Sequence, residues 1–389
     1  MAITDKEQGV WELDEVYNKI NQGDIWTYTE TFDLYSWGNN QSGVWGRNLA
    51  PSPTGNVSSP VLVDSGWSGL WNQNATTGAF AFAFKNPGEL WVWGENNYGN
   101  LGDGTTKKRS SPTQIPGTWD NVAMDSAGGI GIKDSTELYV WGYNSDGQLG
   151  LGNPGSESRS SPAQIPGSWS SSRYAIARFG RNAGAVKTDG TLWVWGDNSA
   201  GQLGQGNNTK ESSPKQVPGT TWSAISYDGD DAAAALQTDG TAYTCGKNTY
   251  GQLGLNDTSN RNTFQQVPGT WERFSISSMR WGLGVKSDGT LWTWGRNSAG
   301  NLGHNNRDNY SSPKQVGTDT TWVASKVSAG SGNCQAVKSD GTLWVWGNCE
   351  EGELGLNQTN VSRSSPTQIP GTWAHVNFGN KCMYALKVT

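Results

Sequence analysis

The 389-residue chain carries a formal net charge of −6 at pH 7, with 53 glycines, 22 tryptophans and only 4 methionines. That charge excludes broad attraction to nucleic acid or to anionic membrane, both of which favour Lys/Arg-rich surfaces. Turn-forming glycine and strand-forming aromatics point to an all-β sandwich, barrel or propeller, large enough to fold without a disulfide or a metal.

Residues 1–31 come first and read as a leader. Met1 to Leu13 has no apolar signal-peptide core, and nothing in the chain approaches the roughly 18 apolar residues of a membrane span. A soluble protein without membrane insertion is expected. Leu13, Val16, Tyr17 and Ile20 recur at i, i+3, i+4 and i+7, which predicts a short amphipathic helix. Gly23 suits its C-terminal cap. So short a helix is marginal alone in water, so its stripe packs either on the rest of this chain or on another one.

From residue 32 onward one unit repeats. Its anchor is an aromatic-Gly pair with Asn close behind, at Trp37-Gly38, Trp93-Gly94, Trp141-Gly142, Trp195-Gly196, Trp294-Gly295 and Trp346-Gly347, with Cys245-Gly246 as a degenerate copy. The intervals of 56, 48, 54, 50, 49 and 52 residues make seven units of propeller-blade length. Within a unit the order is constant. A small-residue strand (Gly184 to Lys187) precedes an Asp189-Gly190 turn, a strong hairpin signal. Leu192 to Gly196 then alternates, with Leu192 and Val194 on one face and Trp193 and Trp195 on the other. A Gly201-Gln202-Leu203-Gly204 loop follows, then an outer strand opened by Ser212-Ser213-Pro214 and ending at Trp222. Proline suits the start or free side of such a strand.

The chain enters the first unit halfway, at Leu34 to Gly38, and the missing strands are supplied by Val376 to Gly379 and Met383 to Val388. Pairing of N- and C-terminal strands therefore closes a seven-bladed β-propeller over 32–389 and removes its exposed edges. The repeated tryptophans are read as packing between blades.

No catalytic or metal site is expected. His304 and His375 lie in different units without a paired nucleophile, and there is no phosphate loop or dinucleotide fingerprint. Asp228, Asp230 and Asp231, and likewise Glu350, Glu351 and Glu353, lack calcium-loop spacing and read as solvated. Cys245, Cys334, Cys349 and Cys382 lack metal-ligand spacing. Cys334 and Cys382 are expected as buried thiols, with a disulfide as the alternative. Lys107, Lys108 and Arg109 form the compact basic run, read as a solvated loop. The variable loops 105–109, 153–158, 207–211, 256–261 and 305–310 are the candidate recognition segments, because they differ while the framework stays fixed. The expectation is a non-enzymatic protein without cofactor.

Gly-Gln-Leu-Gly after Trp-Gly-x-Asn, with Asp-Gly-Thr-Leu-Trp before it, resembles the RCC1-like repeat across nearly the whole chain. That resemblance implies a propeller of a family that contains guanine nucleotide exchange factors, chromatin binders, enzyme inhibitors and scaffolds. No motif transfers individual functional residues, and fold alone does not give function. A second resemblance lies in the leader: Gln8 to Tyr17 followed by Asn21-Gln22-Gly23 is similar to the leader of structural proteins from tailed phages of marine bacteria. It implies a virion component, such as a tail fibre, tail-tip or capsid-surface protein. Val10, Trp11, Leu13, Val16, Tyr17 and Ile20 would anchor it to other virion proteins, and the propeller would meet neighbouring subunits or a host surface protein or glycan. Location on the virion after assembly in the host cytoplasm follows, with homo-oligomerisation allowed. The alternative is a soluble intracellular, cytoplasmic RCC1-like protein-binding regulator.

Overall fold

The computed structural model describes residues 32–38, 57–69, 80–85, 88–153, 157–229, 231–277, 280–330, 332–350, 352–379 and 382–387. The leader, its expected helix and the six candidate anchor residues lie outside them. Among the described residues no helix is long and apolar enough to cross a membrane.

The molecule is a seven-bladed β-propeller. Blade 1 is the composite one: Trp373–Gly379 and Cys382–Lys387 from the C-terminal end continue into Phe32–Gly38 and the long strand Val57–Gly69. The closure is an antiparallel pairing from Asp33 with Lys387 to Gly38 with Cys382, as the split repeat requires. Val57–Gly69 then runs on as the inner strand of blade 2, which it shares with Phe80–Lys85, Glu89–Gly94 and Arg109–Ile115. Blades 3 to 7 are separate four-stranded antiparallel sheets. Their inner strands are Trp119–Asp125, Ile176–Phe179, Trp222–Asp228, Arg273–Ser277 and Trp322–Ala329.

Trp222 thus opens the inner strand of the following blade, where the sequence pattern had it close an outer strand. The outer strand stops at Val217. Pro218-Gly219 breaks the run, and the Trp222 N–H donates to Gly190 O at 3.0 Å. The outer-strand prolines stand mid-strand rather than at its start. Pro112 lies in Arg109–Ile115 opposite an irregularity between Val92 and Gly94, where no ladder bond is needed from it.

Among the described residues the buried apolar side chains divide into seven clusters, one at each seam between neighbouring blades. Strand alternation produces this division. In blade 4, Trp195 packs into the seam with blade 3, while Leu192 and Val194 pack into the seam with blade 5. The tryptophans Trp93, Trp141, Trp195, Trp294 and Trp346 have no solvent exposure, and each buried aromatic of this size contributes on the order of 3–5 kcal/mol.

The small residues of the second strand follow from those rings. A Cβ at Gly129 would stand 2.1 Å from the Trp141 ring that it pairs with. Four of these seams are also joined by a tryptophan hydrogen bond. Trp141, Trp195, Trp294 and Trp346 donate Nε1–H to the carbonyls of Asn100, Gln148, Gln252 and Asn301 in the preceding blade, at 2.9–3.0 Å. The glycine after the loop leucine makes room: a Cβ at Gly150, φ +67°, would meet Trp195 Nε1 at 2.8 Å.

Candidate functional site

Antiparallel connectivity gives the propeller two unlike faces. One carries the hairpin turns between second and third strands and the links between blades. The other carries the turns between first and second strands together with the long loops that follow Trp-Gly, and is here termed the loop face.

The hairpin-turn face is regular and committed to structure. Asp189 accepts from the Thr191 N–H and hydroxyl at 3.0 and 2.6 Å, and Thr191 in turn accepts from Trp193 Nε1 at 2.9 Å. The same chain recurs at Asp288, Thr290 and Trp292 and at Asp340, Thr342 and Trp344. The Lys187 ammonium lies over both Trp169 and Trp193, at 5.2 and 4.1 Å, with Lys286 and Lys338 doing the same in blades 6 and 7. These contacts explain the motif Asp-Gly-Thr-Leu-Trp as a turn that locks its own tryptophan.

The loop face combines a fixed clamp with variable residues. The Asn of Trp-Gly-x-Asn holds each loop from both ends. Asn198 Oδ1 accepts the Leu203 N–H at 2.9 Å, and its amide donates to Asn207 O at 2.9 Å. Asn96, Asn144, Asn248 and Asn297 repeat the arrangement. In blade 7, Cys349 takes this position, its Sγ lying 3.3 Å from Gln358 O. Cys245, Cys334 and Cys349 are buried free thiols. Burial pushes the Cys245 and Cys334 thiols well above their ordinary range, which disfavours the thiolate.

Among the positions of the clamped loop that vary are the residue just after Trp-Gly and the one three further on. At four seams they lie beside the first turn of the next blade, and the chemistry changes from one to the next. Between blades 2 and 3, the Tyr98 and Tyr143 rings pack tilted at 4.8 Å beside a cavity of about 250 Å³. Between blades 3 and 4, Asp146 pairs with Lys210 and with Arg181 at 3.6 Å. These cations hold the Asp146 carboxyl below its ordinary range against the opposing effect of burial, which is the larger single influence. In blade 5, Asp231 accepts from Lys247 at 2.9 Å and reaches Arg280 of blade 6 at 3.4 Å. Tyr250 faces Arg280 and Arg296 at 5.7 and 5.3 Å. Between blades 6 and 7, small residues Ala299 and Gly332 leave a cavity of about 350 Å³, lined also by Arg296, Arg307, Asn348 and Glu350.

Beneath the seam of blades 3 and 4 lies a buried ion pair. Arg178 Nε is 3.5 Å from Asp125. Burial pushes the Asp125 carboxyl up, while Arg178 pulls against it. Asp125 also accepts the N–H groups of Ala127, Gly128 and Gly180, and Arg178 donates to the carbonyls of Gln148 and Tyr143. Its groups are engaged in joining blades and are not available as a reactive centre.

Several sequence-based expectations are sharpened or corrected. The basic run is paired, Lys108 with Glu95 at 3.0 Å and Arg109 with Asp103 at 2.6 Å. Loop 105–109 is held by Asn96, and Arg307 of loop 305–310 reaches a cavity. Residues 154–156 of loop 153–158 lie outside the described set. Glu353, expected in solvent, is buried where other blades have Gln or Asn, because it occupies the second position of the Gly-Gln-Leu-Gly turn. Asp231 is ion-paired, while Asp230 and Glu351 fall outside the described residues. The seam positions were missed. Their signal was present as changing letters inside a largely repeated motif. Among the described residues no group of His, Cys, Asp and Glu is arranged to hold a metal ion.

Comparison with known proteins agrees with the geometry. The regulator of chromosome condensation (RCC1) repeat matches residues 87–130, 136–175, 189–227, 239–278, 288–337 and 340–386. The ultraviolet-B receptor UVR8 of Arabidopsis thaliana is 29% identical over 188 residues, 48% of this chain and 42% of that protein. The match thus spans less than half the length of that relative. Human WBSCR16 superposes with a TM-score of 0.77 at 18% identity, covering 92% of this chain and 98% of that one. Prp20p from Saccharomyces cerevisiae, described with its binding properties to Gsp1p and histones, gives 0.76 at 18%, covering 95% and 94%. At these identities the structures show a shared fold.

Proposed function

The chain belongs to the regulator of chromosome condensation (RCC1) repeat family, and from that premise we propose that it is a non-enzymatic protein-binding propeller of regulatory type whose partner docks on the loop face. The observation that carries this reading is the contrast between the two faces. The hairpin-turn face repeats the same Asp-Thr-Trp chain in blades 4, 6 and 7. The loop face instead holds an aromatic pair, an ion cluster and a cation–π group on one rigid clamp. Rigid scaffolds that vary at loop positions are built for recognition, and Tyr and Arg dominate binding hot spots. Prp20p supplies a precedent for protein partners, Gsp1p and histones, in a chain of this fold.

The test is crosslinking mass spectrometry of the full chain with its captured partner, together with labelled-nucleotide release from candidate GTPases. Crosslinks on the loop face, lost in Tyr98→Ala/Tyr143→Ala or Arg280→Ala chains, are expected. Crosslinks confined to the hairpin-turn face would overturn the reading. Stimulated nucleotide release would narrow it to exchange activity and a cytoplasmic location.

A second reading, a virion display protein, rests on the leader residues Val10, Trp11, Leu13, Val16, Tyr17 and Ile20. It expects this chain at stable stoichiometry with capsid or tail proteins in sedimented particles. Recovery only from the soluble fraction counts against it.

A further inference from the structure

We propose that the cavity between blades 6 and 7 is an anion pocket that receives an acidic side chain, Asp or Glu, of the docked protein. This deepens the protein-binding reading and rests on it. Arg296 and Arg307 both line the cavity, and their backbones are fixed by one clamp. Arg296 precedes Asn297 and Arg307 follows Asn306, the two residues joined by the Asn297 amide donating to Asn306 O at 3.1 Å. Asn297 is held in turn by the Leu302 N–H at 3.0 Å. The Tyr250 ring supports the Arg296 guanidinium at 5.3 Å.

The seams before this one neutralise their cations internally. Arg181 and Lys210 have Asp146, and Lys247 and Arg280 have Asp231. Among the described residues neither Arg296 nor Arg307 has a carboxylate within ion-pair distance, although Glu350 lines the same cavity. Two arginines lining one half-enclosed space place like charge around it, which favours the entry of an anion. Their planar forks suit a carboxylate held by several hydrogen bonds. Asn301 and Asn348 add further polar groups to the wall. A single pocket in a chain of net charge −6 favours one acidic side chain over a polyanionic track, which needs a row of cationic contacts. Glu350 at the wall acts against any anion, so it weakens the binding of an acidic side chain without abolishing it.

The probe is fluorescein-labelled hexaglutamate, with hexaserine as the uncharged control, followed by fluorescence anisotropy on the full chain at low and high salt. Hexaglutamate should bind and hexaserine should not. Arg296→Ala and Arg307→Ala should each weaken binding about tenfold, while Glu350→Gln strengthens it and Lys215→Ala, on the exposed outer strand of blade 4, leaves it unchanged. Thermal melts identify any variant that fails to fold, and Arg296→Lys then serves as the milder substitution, expected to weaken binding in the same direction. Equal binding by the Arg296→Ala/Arg307→Ala chain, or none by the wild type, overturns the pocket. Inorganic phosphate bound more tightly than hexaglutamate at these arginines would also overturn it, in favour of a free anion. Loop-face crosslinks to a partner that persist beside failed hexaglutamate binding would sink the pocket alone and leave the protein-binding reading standing.

Discussion

His304 shows how one side chain is tuned by its seat in the loop. Its Nε2 lies 3.0 Å from the Thr293 hydroxyl, which itself donates to Leu302 O at 2.6 Å, so the ring nitrogen carries the proton and donates. Tyr310 packs edge-on at 5.2 Å. Burial, with Lys314 nearby, lowers the imidazole from 6.5 to about 4. The folded state therefore holds His304 neutral while the unfolded chain protonates it first. Its stabilisation is full above pH 6.5 and is lost as pH falls from 6.5 through 4, an effect of about 1–2 kcal/mol for a half-buried ring. A His304→Gln chain should show a flatter dependence of melting temperature on pH across that window. An unchanged slope would mean that the ring titrates as in solvent. The clamp asparagines act at the same scale. Asn198→Ala leaves the Leu203 N–H unsatisfied in a buried seam, and should cost about 1–3 kcal/mol in denaturant unfolding.

At the scale of an element, blade 5 departs from the repeat and compensates within itself. Cys245 stands in place of Trp, and Phe264 in place of the outer-strand Pro. A Cβ at Gly204 would meet the Phe264 ring at 2.4 Å and Cys245 Sγ at 3.2 Å. Phe264 thus fills the space that the tryptophan fills in other blades, and packs at a tilt against Trp222 at 5.9 Å. Cys245→Trp alone should overpack the seam and destabilise by about 1–3 kcal/mol. Phe264→Pro alone should leave a void costing about 2 kcal/mol. The double variant should return within about 1 kcal/mol of the parent, because the two sites share one volume. Unfolding midpoints of the four chains check this, and simple additivity would show that the exchange of volumes is not what links them. The degenerate copy was visible in the sequence. Its partner substitution was visible too, but their contact was not, since the residues sit 19 positions apart on different strands.

For the whole molecule, closure is the decisive contact. Blade 1 is held by Phe32–Gly38 pairing with Cys382–Lys387, and Trp373, Val376 and Ala385 complete the seam with blade 7. Removing residues 372–389 exposes strand edges on both sides of the gap. Such a chain should lose its single cooperative melt and associate in solution, as followed by calorimetry and size-exclusion chromatography. A monomeric chain with an unchanged melt would show that six blades suffice.

The sequence by itself determined the blades. Periodicity near fifty residues, strand alternation and the Asp-Gly turns depend on neighbours along the chain, and each specifies local structure wherever it occurs. The split first repeat even indicated how the ring closes. Only the tertiary structure decided what the loop face presents. Tyr98 meets Tyr143, Asp146 meets Lys210 and Arg181, and Arg296 shares a cavity with Glu350. Each pairing joins residues of different blades, or of one blade's loop and the next blade's turn. Their proximity follows from the packing of sheets about a common axis, a geometry that no local pattern encodes.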